Sequence, residues 1–176
     1  MPAFYSNNIA AFIADSNNLV IGTLTTKAGI AGFHQQLHTQ TLSWEEEIDI
    51  LKSSFKKLIN NHPGASEWGV LLEYPIARRS KRIDVVIIAK SLIIIIEFKV
   101  GSSTYTNADK EQLLDYCLDL RDFHFESRQQ YIVPILLASA GKNIKNNYSK
   151  IDDWVQNTLF ANAENLHEIL LYAAIY

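Results

Sequence analysis

The sequence predicts an α/β domain with a mixed central sheet, built on an antiparallel three-strand meander flanked by helices. Two observations carry this expectation. Two apolar runs rich in β-branched residues, Arg82–Ala89 and Leu92–Val100, are separated only by Lys90 and Ser91. Runs this short and this branched form buried strands rather than helices. On either side of them, apolar residues recur at helical spacing: Trp44, Ile48, Leu51, Phe55 and Leu58 upstream, and Leu113, Leu114, Cys117, Leu118 and Leu120 downstream.

Taken in order, Ser6 to Ala14 and Asn18 to about Lys27 are predicted as two short helices parted by the capping cluster Asp15-Ser16-Asn17. Phe33 to Gln40 is ambiguous. It holds His34 and His38 at a spacing that can bind metal on a helix, but no third ligand stands near, so both are read as surface residues. Ser43 is the expected N-cap of a long helix to about Asn60, with Glu46 completing a capping box. His62-Pro63-Gly64 is a turn, and Trp68 to Ile76 alternates as a first strand. After the two apolar strands, Gly101 to Asn107 is a loop and Asp109 to about Phe123 a helix. Tyr131–Ala138 has parallel-strand character, with Pro134 pointing to an edge position or a bulge. Gly141 to Asp153 is a polar loop, Trp154 to Phe160 a short last strand, and Glu164 to about Ala174 a closing helix.

A chain of 176 residues with 48% hydrophobic and 20% charged residues fits one domain with a substantial core. The expected division is a helical extension over residues 1–42 and a core over 43–176. The single cysteine, Cys117, excludes an intramolecular disulfide and sits in an apolar helical stripe as a core residue. No secretory signal and no spanning apolar run is visible, so the expected location is cytoplasmic and no membrane partner is expected. The net charge of −3 does not mark a nucleic-acid binder, yet Arg78, Arg79, Lys81 and Arg82 form a dense basic run leading into Asp84. That run is either a solvated loop or a phosphate-contacting one.

The chemistry lies at the ends of the two apolar strands. Alternation puts Glu97 and Lys99 on one face of their strand and Phe98 on the other. If Lys90-Ser91 is a two-residue turn, Ala89 faces Leu92 and Asp84 faces Glu97. A four-residue loop keeps that pairing, whereas a three-residue loop puts the carboxylates on opposite faces. Opposed carboxylates about 4.5–5.5 Å apart at Cβ repel each other, and a divalent cation between them turns repulsion into binding. Hard oxygen ligands suit Mg²⁺. Taken alone, Glu97-x-Lys99 is an ordinary ion pair, and Asp84 at hairpin register is what sharpens it. On the upstream helix, at about 100° per residue, Glu46 projects away from the apolar stripe, Glu45 lies about 100° off its centre and Glu47 about 60°. Glu47 is therefore the residue aimed toward a sheet, with a dipole-favoured acidic first turn the plainer alternative. Gln112 and Tyr116 share a face of the downstream helix.

These residues resemble the PD-(D/E)xK nuclease superfamily. The resemblance implies a restriction-endonuclease-like core with one acid on the second strand, here Asp84, and Glu-x-Lys on the third, here Glu97 and Lys99. It further implies a glutamate from the first helix, here Glu47, and a Gln and Tyr one turn apart on the second, here Gln112 and Tyr116. Ile83 stands where the family usually has Pro. The words Ala3-Phe-Tyr-Ser6, Arg82-Ile-Asp-Val-Val86, Glu97-Phe-Lys-Val-Gly101, Asp115-Tyr-Cys-Leu-Asp-Leu120 and Val133-Pro-Ile-Leu136 are similar to the N-terminal domain of large bacterial nuclease–helicase proteins.

The resemblance implies Mg²⁺-dependent nucleic-acid hydrolysis, with Mn²⁺ as a possible substitute and DNA favoured over RNA, in defence or DNA processing. In that reading Asp84, Glu97 and the Phe98 carbonyl bind metal, Lys99 stabilises developing charge, and Glu47, Gln112 and Tyr116 support the site. Arg78, Arg79, Lys81 and Arg82 contact the nucleic-acid backbone. The chain contains no Gly-x-x-x-x-Gly-Lys-[Ser/Thr] phosphate loop, so a helicase or ATPase is expected as a separate domain or subunit of a larger assembly. The rivals are a nuclease-like module that grips nucleic acid or a partner domain without cutting, and a structural domain with a buried ion-pair network.

Overall fold

A four-residue polar segment that carries no strand pattern, Tyr5–Asn8, forms the first strand (β1) and one edge of the sheet. The computed structural model of the protein describes residues 2–32, 37–76, 80–148 and 153–175, with backbone only at 37 and 38. The predicted helix from Ser6 is thus replaced at its start by β1 and survives as α1, Ile9–Ala14. The Asn8 side chain accepts from the Ala11 N–H and ends the strand by capping the helix. Ser16 does the same for α2, Asn17–Ile30, by accepting from Leu19 N–H.

The next helix, α3, is continuous from Leu37 to Asn61. Ser43 is therefore inside the helix and not its N-cap, and α3 runs through the expected 42/43 division. A Ser caps only where the preceding backbone leaves helical geometry, and no Gly or Pro between 37 and 43 forces that here. The apolar stripe is as expected: Trp44, Ile48, Leu51, Phe55 and Leu58 are all buried. Each contributes about 1.5–3 kcal/mol of burial free energy.

The strands that follow are β2 (Gly69–Pro75), β3 (Arg82–Ala89) and β4 (Leu92–Lys99), then helix α4 (Asn107–Phe123), strands β5 (Tyr131–Ala138) and β6 (Leu159–Ala161), and helix α5 (Leu166–Ala174). The six strands form one mixed sheet in the order β1-β2-β3-β4-β5-β6. Pairing is antiparallel from β1 to β4 and parallel from β4 to β6.

Pro134 lies inside this sheet, between β4 and β6, rather than on an edge strand. The N–H and C=O of Ile132 both bond toward the Trp154–Gln156 segment. Pro134 presents its nitrogen on that same side, in the gap between the Ile132–Val155 bridge and the Ile135–Leu159 rung. Across that gap the partner segment carries one more residue than β5, so the ladder is interrupted in the manner of a bulge, the other position expected for this proline.

One core layer joins α1, α2, α3 and α5 to one face of the sheet, and a second joins α4 to the other. Cys117 is buried in the α4 layer, as expected. Among the described residues, no helix is long and apolar enough to cross a membrane.

Candidate functional site

The β3–β4 hairpin turns on Lys90 and Ser91 alone, with Lys90 at φ 56°, and its rungs run from Ala89–Leu92 to Val85–Ile96. The register that brings Asp84 to Glu97 is the one adopted. Beyond the last rung the Asp84 Oδ2 accepts from the Phe98 N–H at 2.7 Å. Glu97 and Lys99 share the α4 side, 3.4 Å apart, while Phe98 packs into the α3 layer.

At this point both neighbouring strands lose their alternation. Leu72 and Val85 pack on the α3 side, and their rung is followed by Tyr74–Ile83, both on the α4 side. In a regular strand, residues two apart share a face. The residue between Leu72 and Tyr74 is Glu73, at φ 53°, and the residue between Ile83 and Val85 is Asp84. A left-handed, non-glycine residue costs about 1–3 kcal/mol and persists only where its surroundings fix it. Here they do. Glu73 is buried, its Oε1 accepting from Trp44 Nε1 at 3.0 Å and its Oε2 from Arg82 Nε at 2.6 Å.

Beside the break lies a polar cleft of about 430 Å³ at the end of β4, lined by Glu47, Glu73, Asp84, Glu97, Lys99 and Asp109 among others. Helix α3 supplies Glu47 one turn beyond Trp44, while Glu45 and Glu46 are exposed. Helix α4, capped by Thr106, supplies Asp109, which pairs with Lys99 at 3.2 Å. One turn on, Gln112 Nε2 donates to the Tyr116 hydroxyl at 2.5 Å and reaches Glu97 Oε1 at 3.5 Å. Gln112 and Tyr116 therefore stand beside Glu97 without belonging to the cleft lining, and Leu113 is buried in the core.

The electrostatics follow from crowding acids in a half-dry cleft. Burial pushes the Asp84 carboxyl well above its ordinary value, and Glu97, Glu47 and Glu73 push it further against the Phe98 hydrogen bond. Burial raises Glu97 from 4.5 to about 7 despite the pull of Lys99. Glu47 is raised by burial and then by Glu73 and Glu97. For Lys99, burial works downward, but Glu97 and Asp109 outweigh it and hold the ammonium charged.

Of the basic run, Lys81 is exposed, and Arg78 and Arg79 lie outside the described residues, as does His34 and the side chain of His38. Arg82 turns inward. It is committed to Glu73, its guanidinium 5.1 Å from the centre of the Phe4 ring, and so is not presented to solvent as a phosphate contact. Buried Glu73 offers a stronger partner than water does. Glu73 and Asp109 are the cleft carboxylates that sequence reasoning missed. A lone carboxylate inside the apolar strand Gly69–Pro75 was the available signal for the first.

Among the described residues, no three His, Cys, Asp or Glu side chains converge at metal-ligand spacing. The donor chemistry nevertheless fits a hard divalent cation: the facing groups are carboxylates, and Glu97 Oε2 is buried with no hydrogen-bond partner. No family model, curated protein or solved structure matches the chain.

Proposed function

We propose that the protein is a Mg²⁺-dependent nuclease, hydrolysing nucleic-acid phosphodiester bonds at the cleft between α3, the β3–β4 hairpin and α4. The observation that carries this reading is the convergence of Asp84, Glu97 and Lys99 at one strand end, with the buried Glu97 Oε2 unpartnered. Desolvating that much negative charge is costly unless a cation compensates it. The order α3, β2–β3–β4 meander, α4, β5 supports a restriction-endonuclease-like core. A cytoplasmic setting and a helicase or ATPase partner belong to the same reading.

In it, Asp84 and Glu97 hold the metal with the Phe98 carbonyl, and Glu47 stands beside them from α3. Bound Mg²⁺ or Mn²⁺ supplies charge that polarises the scissile phosphate and acidifies a bound water. Lys99, tethered between Glu97 and Asp109, neutralises charge building on the phosphate oxygens. Tyr116 stays protonated because burial raises its pKa, and Gln112 bridges it to Glu97, fixing the carboxylate's orientation.

The test is cleavage of labelled single- and double-stranded DNA and RNA in Mg²⁺ and in EDTA. Metal-dependent cutting of DNA is expected. Binding without cutting, or cutting that survives EDTA, would overturn the reading. Lys99→Ala is expected to lower kcat by about 100-fold while leaving the half-saturating Mg²⁺ concentration nearly unchanged. A Mg²⁺ titration of the variant checks this, and a defect confined to metal affinity counts against the role given to Lys99.

A further inference from the structure

We propose that Glu73 is a positioning residue for the carboxylate site, holding Glu47 and Asp84 in place through the chain Trp44–Glu73–Arg82; this rests on the metal-dependent reading above. Of the acids lining the cleft, Glu73 has both carboxylate oxygens engaged, Oε1 by the Trp44 indole and Oε2 by Arg82. It therefore offers no oxygen in the manner of Glu97, whose Oε2 is buried and unpartnered. Its charge is answered by a guanidinium that is itself mostly buried, with only 12% of its side chain exposed.

The two partners lie on the two elements that the site depends on. Trp44 is on α3, one turn before Glu47, so the indole bond pins the height and rotation of the helix that presents Glu47. Arg82 is on β3, two residues before Asp84, so its bond pins the strand where alternation breaks. Glu73 lies between them at φ 53°, on the strand beside Asp84, where the Leu72–Val85 and Tyr74–Ile83 rungs bracket both acids. Alternation from Val86 sets Asp84 on the Glu97 side, and β3 departs from it at Ile83, paired with Tyr74 just beyond Glu73. The strained backbone and the doubly bonded carboxylate are thus one device. It ties α3 to β3 at the cleft while both of its carboxylate oxygens stay engaged.

Two variants cut the chain at different links. Trp44→Phe removes the indole donor but keeps an aromatic ring in the core. Glu73→Gln keeps an acceptor for Trp44 but sets an amide against Arg82. Both are to be measured, beside the unmodified protein, for Mn²⁺ affinity by electron paramagnetic resonance, for kcat and KM of cleavage, and for thermal unfolding. Each variant is expected to bind Mn²⁺ about tenfold more weakly and to lose about tenfold in kcat, with KM for nucleic acid unchanged. Lower melting temperatures with unaltered Mn²⁺ affinity and kcat would make Glu73 merely structural and overturn the proposal. If Glu73→Gln does not fold, Trp44→Phe decides alone. Should the unmodified protein bind Mn²⁺ but cut nothing, the hydrolytic reading fails while the Mn²⁺ affinities still decide the role of Glu73. If it binds no Mn²⁺, both fall.

Discussion

Glu97→Gln should abolish cleavage and, in the absence of metal near pH 8, make the protein more stable. The two effects have one cause. Glu97 is 5% exposed, faces Asp84 and Glu47, and keeps one oxygen without a donor. Removing its charge relieves a buried repulsion but deletes a metal ligand. The loss in kcat/KM is expected to be at least about 100-fold, or roughly 2.7 kcal/mol of transition-state stabilisation. Asp84→Asn should show the same pair of effects, because its carboxyl is pushed up by burial and by the same neighbours. Lys99 keeps its Asp109 partner in Glu97→Gln, so the amide does not strand a buried ammonium. Steady-state cleavage and thermal melts of the metal-free proteins check this. A variant that is inactive and also less stable at this pH would mean that Glu97 is a structural ion-pair member and not a site held ready for a cation.

Metal-free stability should fall as pH rises from about 4.5 through about 7, and Mg²⁺ should restore it most at the alkaline end. The sign follows from which state holds the proton more tightly. Glu97 ionises near 4.5 when unfolded and at about 7 when folded, so the folded state holds the proton longer. Its contribution is fully present below the unfolded value and is lost as pH climbs through the folded one. That loss is roughly 3 kcal/mol for Glu97, at about 1.4 kcal/mol for each tenfold difference in proton affinity between the two states. Asp84 and Glu47 are raised for related reasons and add to it with the same sign. Asp109 opposes it, since the Thr106 hydrogen bond and Lys99 outweigh burial and hold its carboxyl low. It is partly solvated, so its opposition is weak. A cation that binds only ionised carboxylates stabilises by mass action, and protons compete with it. Calorimetry from about pH 5 to about pH 8, with EDTA and with millimolar Mg²⁺, measures both limbs. A metal-free stability that rises across this window would refute the coupled-carboxylate account, as would a Mg²⁺ increment that is larger at low pH.

Much of the site was legible because its signals are local. Two β-branched runs parted by two residues point to a hairpin whose loop length was left open, and with the two-residue turn that forms, side-chain alternation puts Glu97 with Lys99 and brings Asp84 alongside. The helical stripe Trp44–Leu58 fixes which of three consecutive glutamates turns toward the sheet, and the four-residue step sets Gln112 against Tyr116. Each of these needs only the period of a helix or a strand, which a dozen residues encode.

Other features depend on neighbours distant in the chain. Ser6-Asn7-Asn8 has no hydrophobic pattern, and it is a strand because β2 offers an unpaired edge some 60 residues later. Ser43 has every local mark of a cap, yet the helix begins before it at Leu37. Arg82 sits in a basic run that reads as either a solvated or a phosphate-contacting loop, and Glu73 draws it inward across the β2–β3 pair. Composition and spacing determined strands β2 to β5, the apolar faces and the acids at the strand ends, because burial and side-chain alternation act over a few residues. Only the tertiary structure decided that Glu73 takes a left-handed conformation and bridges Trp44 to Arg82. That choice is set by two hydrogen bonds to residues 29 and 9 positions away, which together hold the strained backbone in place.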